Sequence, residues 1–274
     1  LGLLIDDGKC ALDTKAKDFV PALAAAYPDL ALRHFTTMTS GYRAIGDEPR
    51  GTYIHGPSAT PLQPNPQPLF TPPGTQFAYW DSAMNELAHV LTRIAGEPIE
   101  DVFRRRIAGA IGMNRAQWKW GNWGAVDGLV INGGSGNRNK HVQISAWEAA
   151  RFGLLFLNRG NWNGRQLISA RWVEEATRVQ VPAMLPLGQP ESKIDGAGVY
   201  GFNWWINGLK SDGTLKLPGA PVGTFWASGH NNNKCFVIPE WNMVIVRLGL
   251  DGSAGDRVWS DFLAKVGAAV TDLP

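Results

Sequence analysis

Apolar residues recur at intervals of three and four over several stretches of the chain. In residues 82–95 they are Met84, Leu87, Ala88, Leu91 and Ile94, which predicts an amphipathic helix stopped by Gly96. Residues 99–110 repeat the spacing with Val102, Phe103 and Ile107, and Gly112 ends that helix. Ser145, with Glu148 three positions on, reads as a capping box ahead of a helix that runs through Phe152, Leu155 and Phe156 to Gly160. Ser169 caps a further helix that turns Trp172, Val173 and Ala176 inward. Residues 32–38 form a short helical or turn segment. The opening run LGLLIDDG reads as the tail of a helix already under way, closed by Gly8.

Between these helices the periodicity breaks. Prolines 57, 61, 64, 66, 68, 72 and 73 exclude a helix interior or a central strand over residues 46–76, so an extended surface excursion is expected. Residues 119–140, rich in Gly, Asn and Trp, read as loop. After about residue 180 the period changes to two. Tyr200, Phe202, Trp204 and Ile206 alternate as in a strand, and residues 223–228, 234–238 and 243–248 are three more strand candidates. Residues 239–242 make a hairpin-like connection, and residues 254–270 return to helical spacing through Val258, Phe262, Val266 and Ala269. The order predicts an α+β fold, with a mainly helical region over 1–180 and an antiparallel sheet with a C-terminal helix over 181–274.

Composition narrows the picture. With 26 basic and 24 acidic residues among 274, the chain carries no basic footprint for nucleic acid. The run Arg104-Arg105-Arg106 reads as a solvated helix face. No apolar stretch reaches membrane-spanning length. Cys10 and Cys235 stand alone, outside any metal or redox motif. The motifs HExxH, CxxC, GxxxxGK[ST] and Ser-x-x-Lys are missing. The GxSxG pattern fails at its last position in Gly133-Gly134-Ser135-Gly136-Asn137, and Thr14-Lys15-Ala16-Lys17 sits in a polar loop.

Several segments resemble those of class C β-lactamases and their esterase and penicillin-binding relatives, in the same order. They are HFTTMTSGY at 34–42, PGTQFAYWD at 73–81, AGEPIEDVFRRRIAGAIGM at 95–113, AWEAARFGLLFLNRGNWNG at 146–164, and SGH at 228–230 followed by FVIP at 236–239 and MVIV at 243–246. The resemblance runs collinearly from residue 1 to about 270. It implies the β-lactamase/transpeptidase-like fold, an antiparallel sheet flanked by helices, with its N-terminal strands missing from this chain. It also implies a serine hydrolase working through an acyl-enzyme on an ester, a D-amino-acid amide or a β-lactam, without metal or organic cofactor. Residue 1 would then follow directly on the Ser-x-x-Lys motif, so the nucleophile lies outside the 274 residues. A missing N-terminal segment or a second chain would complete the sheet.

By the same resemblance Tyr79 takes the place of the tyrosine in Tyr-x-Asn, the general base to the serine. A phenol there can ionise beside a lysine cation. As a residue alone, Tyr79 reads first as a cleft-lining or core tyrosine with a bonded hydroxyl; the surrounding segment reverses that order. Asp81 stands where the family has Asn, either pairing with the absent lysine or capping the helix from residue 82. His230 takes the place of the Lys or His of the third motif, with a bonded surface histidine as the plain alternative. Asn231, Asn232 and Asn233 replace Thr-Gly or Gly-Gly, and the backbone N–H of Asn233 is expected to be one oxyanion-hole donor. The phenol of Tyr79 and the imidazole of His230 are expected to face one hollow. Tyr53, Trp80, Trp120, Trp123, Trp204 and Trp226 are either cleft-lining or core. His34, His55, His89 and His141 carry no such context. A non-catalytic ligand-binding relative on the same fold is the alternative that the Asp and Asn departures favour.

Overall fold

The described residues of the computed structural model are 1–47, 58–135, 139–189 and 194–270. They form seven α-helices: α1 (Gly2–Asp6), α2 (Leu32–Thr36), α3 (Asp81–Ala95), α4 (Ile99–Phe103), α5 (Ala146–Leu157), α6 (Ala170–Ala176) and α7 (Asp256–Ala268). The main sheet is antiparallel, with β1 (Trp205–Ile206), β2 (Phe225–Gly229), β3 (Asn233–Ile238) and β4 (Met243–Arg247) in the spatial order β4-β3-β2-β1. The chain divides into two compact units, Leu1–Gln143 with Leu185–Asp195, and Ile144–Met184 with Gly196–Pro274.

In the first unit α3 is the central element. Residues from Asp81 to Thr92 are all buried, polar ones included, and Gly96 closes the helix at φ 76°, where a side chain would be strained. The helix expected over 99–110 is α-helical only through Phe103; Arg104–Ala108 continues as a π-helical turn. The loop expected over 119–140 contains a hairpin instead: Asn122–Val126 pairs with Leu129–Asn132 through Asp127 and Gly128, both at positive φ. An Asp-Gly pair at a two-residue turn is the standard signal for that geometry, and the loop reading missed it.

In the second unit Ser145 Oγ accepts from Glu148 N–H at 3.4 Å, and Ser169 Oγ from Trp172 N–H at 3.2 Å, as the capping pattern predicts. Helix α5 lies on one face of the sheet. A Cβ added to Gly153 would fall 2.8 Å from Val244 and 2.9 Å from Cys235, so only glycine permits this approach. Helix α7 covers the other face, where Phe236 packs against Trp226 and Trp259. The strand expected over 198–208 shrinks to Trp205–Ile206. Asn203, at φ 59°, folds the segment back so that Tyr200 bridges Trp205. The alternation there reflects a buried aromatic cluster of Tyr200, Phe202, Trp204 and Trp205 rather than one extended strand.

Candidate active site

Tyr79 stands just before α3 on a segment paired on both sides. On one side Ala78 N–H donates to Met38 C=O at 2.8 Å and Gly74 N–H to Thr39 C=O at 2.8 Å. Met38 itself is buried in the left-handed region at φ 57°, an uncommon state for a side chain of that size. On the other side Phe77 bridges Leu187, through Phe77 N–H to Pro186 C=O and Gly188 N–H to Phe77 C=O. Asp47 then ties down the residues flanking the tyrosine. Its buried carboxylate accepts from Trp80 Nε1 at 2.8 Å, Ser82 Oγ at 3.0 Å and Ala44 N–H at 2.8 Å. A lone Asp in a Pro- and Gly-rich stretch offered no sign of this role.

Tyr79 is half-buried and Asp81 is buried. Burial and, secondarily, the Asp81 charge both push the Tyr79 phenol well above its ordinary range. The capping role considered for Asp81 is not what the helix uses: Trp80 is the N-cap and Asp81 the first helical residue. Its carboxylate stays in the first turn, where the helix dipole favours an anion. One turn on, Asn85 Nδ2 donates to Asp81 C=O at 3.0 Å. Asn85 Oδ1 collects Trp123 Nε1 at 2.7 Å, Gly134 N–H at 3.0 Å and Ser135 N–H at 3.2 Å. Gly134 and Ser135 of the failed GxSxG segment therefore dock on α3 through one buried amide.

The other predicted residues lie in the second unit, at the end of the β2–β3 hairpin. Gly229 pairs with Asn233 and the turn between them is His230, Asn231 and Asn232. Asn231 and Asn232 are at φ 59° and 56°, a conformation that Asn tolerates better than most residues. Their presence in place of glycine is thus compatible with a tight turn. His230 is exposed. The expectation for Asn233 fails: its N–H donates to His230 C=O inside the turn, which takes it away from an oxyanion. Its side chain is also engaged, Oδ1 accepting from Gly249 N–H at 2.8 Å. Asn232 Nδ2 is a buried donor with no partner among the described residues. Arg247 of β4 clamps the turn, donating to Asn231 C=O at 2.6 Å and Asn232 C=O at 3.3 Å. Its other nitrogen pairs with Asp251. Strand β1 pairs with β2 only at Phe225 and Trp226, so no described strand covers Ala227–Gly229 on that side.

A sequence profile of the Beta-lactamase family matches residues 1–249. The chain belongs to the β-lactamase family. Solved structures similar to this family member include a penicillin-binding protein homologue from Caulobacter crescentus (TM-score 0.66, 16% identity, 98% of this chain and 79% of that one). A family VIII carboxylesterase matches at TM-score 0.67 and 15% identity, over 98% and 79% of the two chains. A β-lactamase from Mycobacterium bovis matches at 0.61 and 19%, over 98% and 80%. At these identities the likeness concerns the fold. Among curated proteins, an uncharacterized protein of Alkalihalophilus pseudofirmus is 24% identical over 107 residues, 39% of this chain and about a third (30%) of that protein.

Of the aromatic candidates, Trp80, Trp204 and Trp226 are core. Trp120 and Trp123 are half-buried and bonded through their indole nitrogens to Gly133 C=O and Asn85. Tyr53 and His55 lie outside the described residues. His34 Nδ1 accepts from Ala31 N–H, a local structural use. His89 joins the buried Glu86 at 3.2 Å, and Glu86 also accepts from Tyr42 Oη at 3.2 Å. Both cysteines are free thiols. Among the described residues no cluster of His, Cys, Asp or Glu could hold a metal, and no helix is long and apolar enough to cross a membrane.

Proposed function

We propose that this β-lactamase-family chain serves a serine hydrolase that transfers an acyl group from an ester, a D-amino-acid amide or a β-lactam to water. The nucleophile would come from a Ser-x-x-Lys motif outside these 274 residues. The observation that carries the reading is the rigid seat of Tyr79, paired on both sides and anchored through Asp47.

In this reading Tyr79 takes the proton from the attacking serine and returns it to the leaving group. Burial and Asp81 hold the phenol neutral, so a lysine cation has to be brought beside it to draw the proton off. Asp81 would pair with that lysine. His230 would donate to the substrate carbonyl or carboxylate, and Asn231 and Asn232 would offer side-chain amides, the unpartnered Asn232 Nδ2 first. The side chain of Asn233 would keep the turn in place through Gly249. The uncovered stretch Ala227–Gly229 suits an extended amide or ester backbone.

The test is to treat the full-length protein with a fluorophosphonate and a fluorescent penicillin. Label is expected on a serine upstream of Leu1, with the acylation rate falling on the order of 100-fold in Tyr79→Phe and more modestly in His230→Ala. A protein that takes neither probe yet binds penicillin reversibly would be a ligand-binding relative. That second reading draws on Asp81, which opposes ionisation of the tyrosine unless a cation offsets it.

A further inference from the structure

On one face of β3, Lys234 lies two positions from the aromatic Phe236, and its own cross-strand neighbours are Ser228 on β2 and Arg247 on β4, whose guanidinium is turned to the Asn231 and Asn232 carbonyls and to Asp251. Lys234 is the register partner of Ser228, as Phe236 is of Trp226, so all four side chains point to the face covered by α7. Both Lys234 and Ser228 are half-buried. Lys234 Nζ donates to Ser228 Oγ at 2.5 Å across the strands. The nearest countercharge, Asp256 at the start of α7, is engaged with Lys216, whose Nζ lies 2.9 Å from its carboxylate. Lys234 therefore has a hydroxyl rather than a carboxylate as its close partner. Lys234 has no role in the site proposed above, and of Ser228 only the backbone edge does, its side chain lying on the face covered by α7.

We propose that Lys234, with Ser228 as its proton relay, is a site of covalent self-acylation by activated acyl donors, namely aryl esters and thioesters. The neutral amine attacks the carbonyl carbon. A C–N bond forms, the bond to the aryloxide or thiolate breaks, and the leaving group departs with the electron pair. The proton released from nitrogen passes through the Ser228 hydroxyl to solvent. The product is an amide, so the reaction stops after one equivalent and gives no turnover.

Desolvation favours the amine. Burial lowers Lys234 to about 8; the Asp256 charge opposes it, and the smaller effect of the Lys216 charge adds to it. At pH 7.5 roughly a quarter of such a group is neutral, against about one in a thousand for an ordinary lysine. Most of that gain is lost because a weaker base is a weaker nucleophile, which leaves an advantage of roughly a few-fold.

The probe is p-nitrophenyl acetate on the chain at pH 7.5, with acetylated peptides quantified by mass spectrometry. Acetylation of Lys234 is expected roughly a few-fold faster than at the exposed Lys119 and Lys265. Its rate should level off above pH 8 or so. Ser228→Ala should slow it several-fold and Ser228→Thr should restore it. The pH profile of the unmodified chain needs no variant to fold. Even labelling of all lysines, acetyl resting on Ser228 with none on Lys234, or a rate at Lys234 that climbs past pH 10 would each overturn the proposal. None of these outcomes bears on Tyr79 or His230.

Discussion

Tyr79 is held neutral by two causes of the same sign. Burial disfavours phenolate, and the Asp81 carboxylate repels it. Removing only the charge should therefore lower the phenol's pKa. Asp81→Asn is expected to move the Tyr79 transition to lower pH in an ultraviolet difference titration, with Tyr79→Phe as the subtraction standard. An unchanged or upward-shifted transition would show that Asp81 does not act on the phenol. On the second unit the single residue that matters most for geometry is Arg247. It holds the carbonyls of Asn231 and Asn232, both of which sit at positive φ. Its hydrogen bonds are charge-assisted and its side chain is only 28% exposed. Arg247→Ala should cost about 1–2 kcal/mol in denaturant unfolding. A midpoint within error of the parent would mean that the turn holds itself.

Elements here are joined at points where a single atom decides the fit. Gly134 lies so close to α3 that an added Cβ would sit 2.1 Å from Met84 C=O and 2.6 Å from the carbonyl carbon. Gly134→Ala must push the 133–135 segment off Asn85, which also bonds Trp123. The expected loss is about 1–3 kcal/mol, with a change in tryptophan emission as Trp123 loses its partner. Native emission with unaltered stability would contradict the close contact. At this scale the helices were readable, since period and cap act locally: Gly96, Ser145 and Ser169 each do what their residue type predicts. The segment over 198–208 misled because aromatic residues buried around a turn produce the same alternation as a strand. Asn203 gave the only local hint of reversal.

Across the molecule the buried ionisable groups set how stability responds to pH. Glu86 is fully buried, and burial raises its carboxyl above the ordinary range despite the hydrogen bonds from His89 and Tyr42. A raised folded-state value favours the protonated form in the fold. Its contribution is complete below the ordinary carboxyl range and is lost as pH climbs through the raised value. Glu86→Gln should remove that slope. Denaturant midpoints measured across pH for both proteins would converge in acid and part as pH rises; parallel curves would exclude the effect.

The sequence alone determined the family and the α+β class, because motif order survives where each motif by itself is short, and it placed most helices by spacing that needs no distant partner. It also named Tyr79 and His230. Tertiary structure decided what those residues experience. Asp47, Asn85 and Arg247 reach their partners across 33, 49 and 16 positions of chain, and Gly153 matters only because two strands pass over it. The N–H of Asn233 was lost to the turn through a backbone geometry that residue identity left open. The Ser228–Lys234 pair is likewise invisible until two strands align in register, since six positions apart in sequence carries no motif. Local preference is written in neighbouring residues, whereas hydrogen-bond partners and desolvation depend on which distant segments meet.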